Sequence, residues 1–279
     1  TTPYYNNIGN FSYEAEDSLK QQIYEADPSY EGNLSFVNYS EGIYVGYKFY
    51  ETAAEEQLIT YEDIVQYPFG YGLSYTEFTQ EITDFSVNNN AFMVQVKVTN
   101  TGTVAGKDVI ELYYTPPYTD GGIEKASVNL LDFQKTDMIE PGDSYEYTFS
   151  ADFEDMASYD SSCIKTENGG YILEKGDYTV SVRSDSHTAL DERTFSVDKD
   201  LFFSENVENV FEDYSAGDVN YLSRAEGFAN YEKAVAAPAE DMYIAKDEII
   251  HAVNTYSNAS YKADDENTVE MPATGEDNG

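Results

Sequence analysis

Few side chains in this sequence have the neighbours that chemistry requires. His187 and His251 are the only histidines, and neither has a second ligand at metal-binding spacing. The single cysteine, Cys163, lacks a nearby His that would draw off its proton and has no partner for an internal disulfide. Ser74 and Ser223 lie outside any nucleophile elbow. Asp264-Asp265-Glu266 lacks the glycine and alternating carboxylates of a calcium loop and reads as a solvated charge run. Glycine-rich phosphate loops are absent. No cofactor and no metal are therefore expected. Asn10, Asn33, Asn38 and Asn258 fit the glycosylation pattern, about as often as chance gives in an Asn-rich chain.

Charge narrows the partners. The chain of 279 residues has 15 Lys+Arg against 53 Asp+Glu, a net charge of −38. Such a surface repels phosphate backbones and anionic lipid, so neither nucleic acid nor a membrane surface is an expected partner. With carboxylates this dense, two lying close in sequence single out no acid–base pair. The acid is spread along the chain and reads as a solubility trait. No apolar run approaches the ~20 residues that span a bilayer, and the opening Thr1-Thr2-Pro3-Tyr4-Tyr5 is not a signal peptide. These features favour a reduced, soluble, cytoplasmic setting in a bacterium. Lacking an initiator Met, the chain is expected to begin inside a longer reading frame.

The elements that would position any site are mainly β. Phe92, Val94, Val96 and Val98 alternate with Met93, Gln95, Lys97 and Thr99, the period of a half-buried strand. Asn100-Thr101-Gly102 then makes a turn. Val109–Tyr114 follows, with Ile110, Leu112 and Tyr114 on one face. Tyr145, Tyr147, Phe149 and Tyr178, Val180, Val182 form two more runs, each after a Gly-Asp turn. Val128–Phe133 and Arg193–Val197 bring the count to about seven short strands at sandwich spacing. The 27 Tyr and 15 Phe, without Trp, suit such packing. The fold expected is an immunoglobulin/fibronectin III-like β-sandwich with long irregular N- and C-terminal segments. Residues 1 to about 66 show no clean period, apart from a short helix expected over Ser12–Tyr24. After Asp198 a compact polar-aromatic motif, Asn220–Phe228, precedes a helix expected over Lys246–Thr255 and an acidic tail from Lys262.

The most informative string is Tyr67-Pro68-Phe69-Gly70-Tyr71-Gly72-Leu73-Ser74-Tyr75. Two glycines within three residues, flanked by aromatics and opened by a proline, read as a rigid backbone joint between packed rings. Gly70 and Gly72 can take positive φ or admit a second segment closely, and Pro68 fixes the approach. With the upstream Glu41-Gly42-Ile43-Tyr44-Val45-Gly46-Tyr47-Lys48-Phe49-Tyr50, this string closely resembles the hinge of family 3 glycoside hydrolases of the β-glucosidase type. Val98–Val109 resembles that family's first hairpin. Phe133-Gln134-Lys135 with Ile139–Asp143, Phe153–Asp160 and Gly176–Val180 resemble later segments, in the same order and spacing.

The resemblance implies that residues 1–78 are the end of an α/β sandwich domain with its hinge. Residues 79–198 would be the fibronectin type III-like β-sandwich. Residues 199–279 would lead towards a (β/α)8 barrel, as in a subgroup with reversed domain order. It further implies a whole enzyme that hydrolyses terminal β-D-glucosides with retention, using two carboxyls about 5–5.5 Å apart. In the family these sit on the barrel and in the α/β sandwich, and no motif here matches either, so no catalytic residue is assigned and this chain alone is expected to be inactive. Its partners would be those two domains, and a β-glucoside only through the whole enzyme. Glu41, Tyr44 and Tyr47 are the candidates for the rim of the active site. Pro68, Phe69, Gly70, Tyr71 and Gly72 are the structural hinge. The alternative is a stand-alone β-sandwich module that binds carbohydrate or protein.

Overall fold

The computed structural model describes residues 13–14, 35–36, 39–88, 90–205 and 218–236. Tyr13–Glu14 (β1) pairs antiparallel with Ser35–Phe36 (β2). Residues 13–14 of the helix expected over Ser12–Tyr24 are thus strand, and the rest of that helix, the helix over Lys246–Thr255 and the acidic tail lie outside the described residues.

Seven strands make the sandwich. One sheet has the order β3-β4-β7, from Phe78–Val87, Ala91–Asn100 and Ser144–Asp152. The other has the order β11-β10-β5-β6, with β5 Val109–Thr115, β6 Asn129–Lys135, β10 Gly176–Arg183 and β11 Ala189–Val197. All pairings are antiparallel. Ser158–Tyr159 (β8), Gly170–Leu173 (β9) and Leu201–Glu205 (β12) form a third, small sheet in the order β12-β9-β8.

Alternation builds the core. In β4 the side chains of Phe92, Val94, Val96 and Val98 are wholly enclosed, while Met93 is exposed. They meet Ile110 and Leu112 of β5, Phe149 of β7, Val180 and Val182 of β10 and Phe195 of β11. Each such side chain removed from water contributes about 1.5–3 kcal/mol before chain entropy is charged. Tyr178 locks the start of β10, its hydroxyl donating to the Glu174 carbonyl at 3.0 Å, the tyrosine corner of such sandwiches.

Bulges break the alternation elsewhere. In β3, Ile82 faces Val96 and Asp84 faces Gln95, leaving Thr83 as an extra residue. The phase of Phe78, Ile82 and Phe85 therefore slips, and no period marks this strand in the sequence. Side chains repair the ladder there. The Asp191 carboxylate accepts from the Ile82 N–H at 2.8 Å, and the Arg193 guanidinium donates to the Ile82 carbonyl at 2.8 Å.

In β5 the alternation fails for another reason: Glu111 and Tyr113, which point away from the core, are buried as well. The hinge covers them.

Candidate functional site

The hinge segment starts in a turn at Tyr39–Tyr44 and continues as a helix, α1, over Tyr47–Glu55. A second, four-residue helix, α2, spans Tyr61–Ile64. The buried face of α1 includes Glu51 and Thr52 beside Phe49 and Ala53, so apolar periodicity does not reveal it. Both polar residues are satisfied. The Thr52 hydroxyl donates to the Lys48 carbonyl at 2.6 Å and accepts from the Ser127 N–H at 3.0 Å. The Glu51 carboxylate accepts from Tyr61 at 2.7 Å and Ser186 at 2.8 Å, and pairs with His187 at 2.9 Å. His187 also stacks on the Tyr61 ring, 3.8 Å between centroids.

The hinge is fixed to the outer face of the β5-β10 sheet. Gly70 has φ +88°, and a methyl group there would collide with the Glu111 carboxylate. Phe69 stacks on Tyr47 at 4.8 Å, and its carbonyl accepts from the Ser186 N–H at 2.8 Å. A turn closed by the Tyr71 N–H on the Pro68 carbonyl brings Tyr67 and Tyr71 within 5.1 Å. Gly72 has open space about its Cα and an ordinary φ, so of the two glycines only Gly70 meets the demand read from the sequence. Beyond the joint, the Thr76 hydroxyl donates to Asn100 at 2.8 Å. Asn100 also accepts from Gly102 and donates to the Val104 and Ile139 carbonyls, so its side chain is fully engaged.

Glu111 is buried. Burial pushes its carboxyl above the ordinary glutamate value, against the Tyr113 hydroxyl that donates to it at 2.7 Å; Asp185 and Asp108 push in the same direction as burial. The five apolar side chains of the joint remain open to solvent: Tyr67, Phe69, Tyr71, Leu73 and Tyr75, with Leu73 89% exposed.

The side chains of the three rim candidates do not share a partner. Tyr44 is wholly enclosed; its hydroxyl donates to Glu124 at 2.5 Å and burial drives its pKa upward. The Tyr47 hydroxyl accepts from the Leu130 N–H at 2.8 Å. Glu41 is 5% exposed, its Oε2 has no hydrogen-bond partner, and burial raises its pKa. Tyr44 touches Glu41 through the backbone, its N–H donating to the Glu41 carbonyl at 3.0 Å, while Tyr47 packs on Phe69 and Tyr113.

A second cluster escaped sequence reasoning. Glu124 accepts from Tyr44, from the Ser223 hydroxyl and from the Arg224 N–H at 3.0 Å. Arg224, 4% exposed, donates from Nε to Glu56 at 2.6 Å and from its two terminal nitrogens to Glu55 at 3.1 Å and to the Lys125 carbonyl at 3.2 Å. Its guanidinium lies 4.2 Å above the Tyr118 ring. The only signal was the compact motif Asn220–Phe228, because the partners lie about 100 to 170 residues away. Among the described residues no group of three or more His, Cys, Asp or Glu side chains could hold a metal ion, and no helix is long and apolar enough to cross a membrane.

Strand order and connectivity define a fibronectin type III-like β-sandwich, with the segment around Phe69 and Gly70 fixed to its outer face. The fibronectin type III-like domain family matches residues 108–186. Over 208 residues the chain is 36% identical to β-glucosidase A of Butyrivibrio fibrisolvens, covering 65% of this chain and 23% of that protein. The structure of β-glucosidase 3B from Thermotoga neapolitana in complex with glucose superposes with a TM-score of 0.51 at 34% identity, over 60% of this chain and 21% of that one. A β-glucosidase from Paenibacillus barengoltzii gives a TM-score of 0.52 at 33% identity, over 64% and 19%. The chain thus spans about a quarter of the length of the curated relatives it matches. It is a fibronectin type III-like portion of the family 3 glycoside hydrolases of β-glucosidase type.

Proposed function

We propose that this chain is the non-catalytic brace of a family 3 β-glucosidase, holding an α/β sandwich domain and a (β/α)8 barrel in register. The whole enzyme hydrolyses terminal β-D-glucosides with retention. Residues 1–78 end the α/β sandwich domain and form the hinge, 79–198 are the brace itself, and 199–279 lead to the barrel in the reversed domain order.

One observation carries the reading. Five apolar side chains of the hinge face solvent while their backbone is pinned at Gly70 and Phe69. A pinned backbone with an exposed apolar strip is what a rigid docking edge needs, since little ordering entropy remains to be lost on contact. The names of the relatives supply the chemistry, and the comparatively short span of this chain leaves room for both catalytic domains.

Replacing Leu73 and Tyr75 together with Asp in the whole enzyme tests it. Hydrolysis of an aryl β-glucoside and the thermal midpoint of the enzyme should both fall. The midpoint of the 279-residue chain, where these side chains are already exposed, should stay unchanged. Full activity in that double variant would overturn the proposal.

A further inference from the structure

We propose that residues 220–236 form a strained strap that opens and closes over the hinge helix independently of the β-sandwich, with Arg224 as the pin that holds it shut. The inference does not depend on the bracing role.

The strap contains a turn that L-amino acids resist. Glu226, Gly227 and Phe228 follow one another with φ of 53°, 64° and 61°. The Phe228 N–H donates to the Arg224 carbonyl at 3.2 Å and the Ala229 N–H to the Ala225 carbonyl at 3.3 Å. This is one turn of left-handed helix, where Cβ crowds the following carbonyl in every residue but glycine. Glu226 and Phe228 therefore both carry strain, and something outside the turn must hold them in place.

Side chains do so. The turn delivers Phe228 edge-on to Tyr44 at 5.0 Å and close to Phe49 at 5.9 Å. Leu222, Ala234 and Val235 complete this cluster around Tyr44, Phe49 and Ala53. At the mouth of the turn Arg224 engages Glu55, Glu56 and the Lys125 carbonyl at once. Backbone links to the rest of the chain are isolated by comparison: the Leu222 N–H donates to the Ser40 carbonyl at 2.7 Å, the Arg224 N–H to Glu124 at 3.0 Å and the Glu226 N–H to Asp120 at 2.6 Å, and the Ala234 carbonyl accepts from the Ser40 hydroxyl at 3.4 Å. Among the described residues, 220–236 join no sheet.

The sandwich is held differently, by continuous ladders and its own core. Two units that share few backbone bonds, one of them strained, open with different free energies. Opening the strap uncovers Tyr44, Phe49 and Ala53 while the sandwich stays folded. Arg224 governs the equilibrium because opening gives up at once its bonds to Glu55 at the end of α1, to Glu56 just beyond it and to the Lys125 carbonyl.

Amide hydrogen exchange of the full 279-residue chain, read by peptide, tests this with two variants acting in opposite directions. In the parent chain, amides in 220–236 should exchange at least about tenfold faster than those of β4, β5 and β10. R224Q should raise strap exchange by about tenfold or more and leave those three strands unchanged. E226G keeps the backbone donor to Asp120 and relieves one strained residue, so it should slow strap exchange by roughly threefold or more. Strap and sandwich exchanging in step, in the parent or in R224Q, would overturn the proposal. So would an E226G chain whose strap exchanges at the parent rate or faster.

Discussion

The Cα of Gly70 lies against the carboxylate of Glu111, so close that a methyl group on it would collide with a carboxylate oxygen. Backbone geometry asks for glycine there too, with φ at +88°. The hinge crosses the sandwich through the space that a Cβ would need.

Gly70→Ala should therefore cost about 2–4 kcal/mol in urea unfolding, from left-handed strain plus displacement of the buried carboxylate. Gly72→Ala has neither demand to violate and should stay within about 0.5 kcal/mol of the parent. Equal effects at the two positions would remove Gly70 as the pin.

Glu111 should make the same joint sensitive to pH. Its folded-state pKa is raised by burial, so the fold prefers the neutral carboxyl. Below the ordinary value near 4.5 both states are protonated and the group is neutral to stability. As pH rises through that value and then the folded one, the unfolded chain ionises first and stability is lost. E111Q keeps an acceptor for the Tyr113 hydroxyl and cannot ionise. Its thermal midpoint should match the parent's near pH 4 and exceed it increasingly towards neutral pH; a gap that is constant with pH would contradict this.

Asp160 works with the opposite sign. Burial alone would raise its carboxyl, but the N–H groups of Lys165, Ile164 and Thr166 and the Thr166 hydroxyl hold it below the ordinary value. Its stabilisation is present above pH 3.8 and fades as pH falls through the depressed folded value. D160N leaves one acceptor in place of two charged oxygens and should cost about 2–3 kcal/mol at neutral pH. Urea midpoints at pH 7 and pH 3 read it directly, the difference between variant and parent shrinking at the lower pH.

The tyrosine corner gives a single-atom test. Tyr178→Phe removes only the hydroxyl that donates to the Glu174 carbonyl, and should cost about 1–2 kcal/mol with no change of fold. A neutral substitution would mean that the corner does not hold the start of β10.

Legibility in the sequence followed local order. Phe92 to Val98 and Tyr178 to Val182 kept strict alternation, and both became central strands with those faces inward. Phe78–Val87 did not, because Thr83 at the bulge shifts the phase of everything after it. The helix Tyr47–Glu55 stayed hidden because it buries Glu51 and Thr52, whose partners Tyr61, Ser186 and Ser127 come from elsewhere in the chain. Composition alone marked the joint at Gly70, since glycine beside proline and aromatics signals backbone demands. Nothing local could mark Arg224 as a pin, because Glu55, Glu56 and Lys125 reach it only after folding.

The most direct test of the bracing role is release of nitrophenol from an aryl β-glucoside, measured side by side for the isolated 279-residue chain and for the whole reading frame that contains it. The isolated chain should give no turnover, and the whole product should hydrolyse the glycoside with retention. Hydrolysis by the isolated chain, or none by the whole product on any β-glycoside, would contradict a non-catalytic brace within a family 3 enzyme.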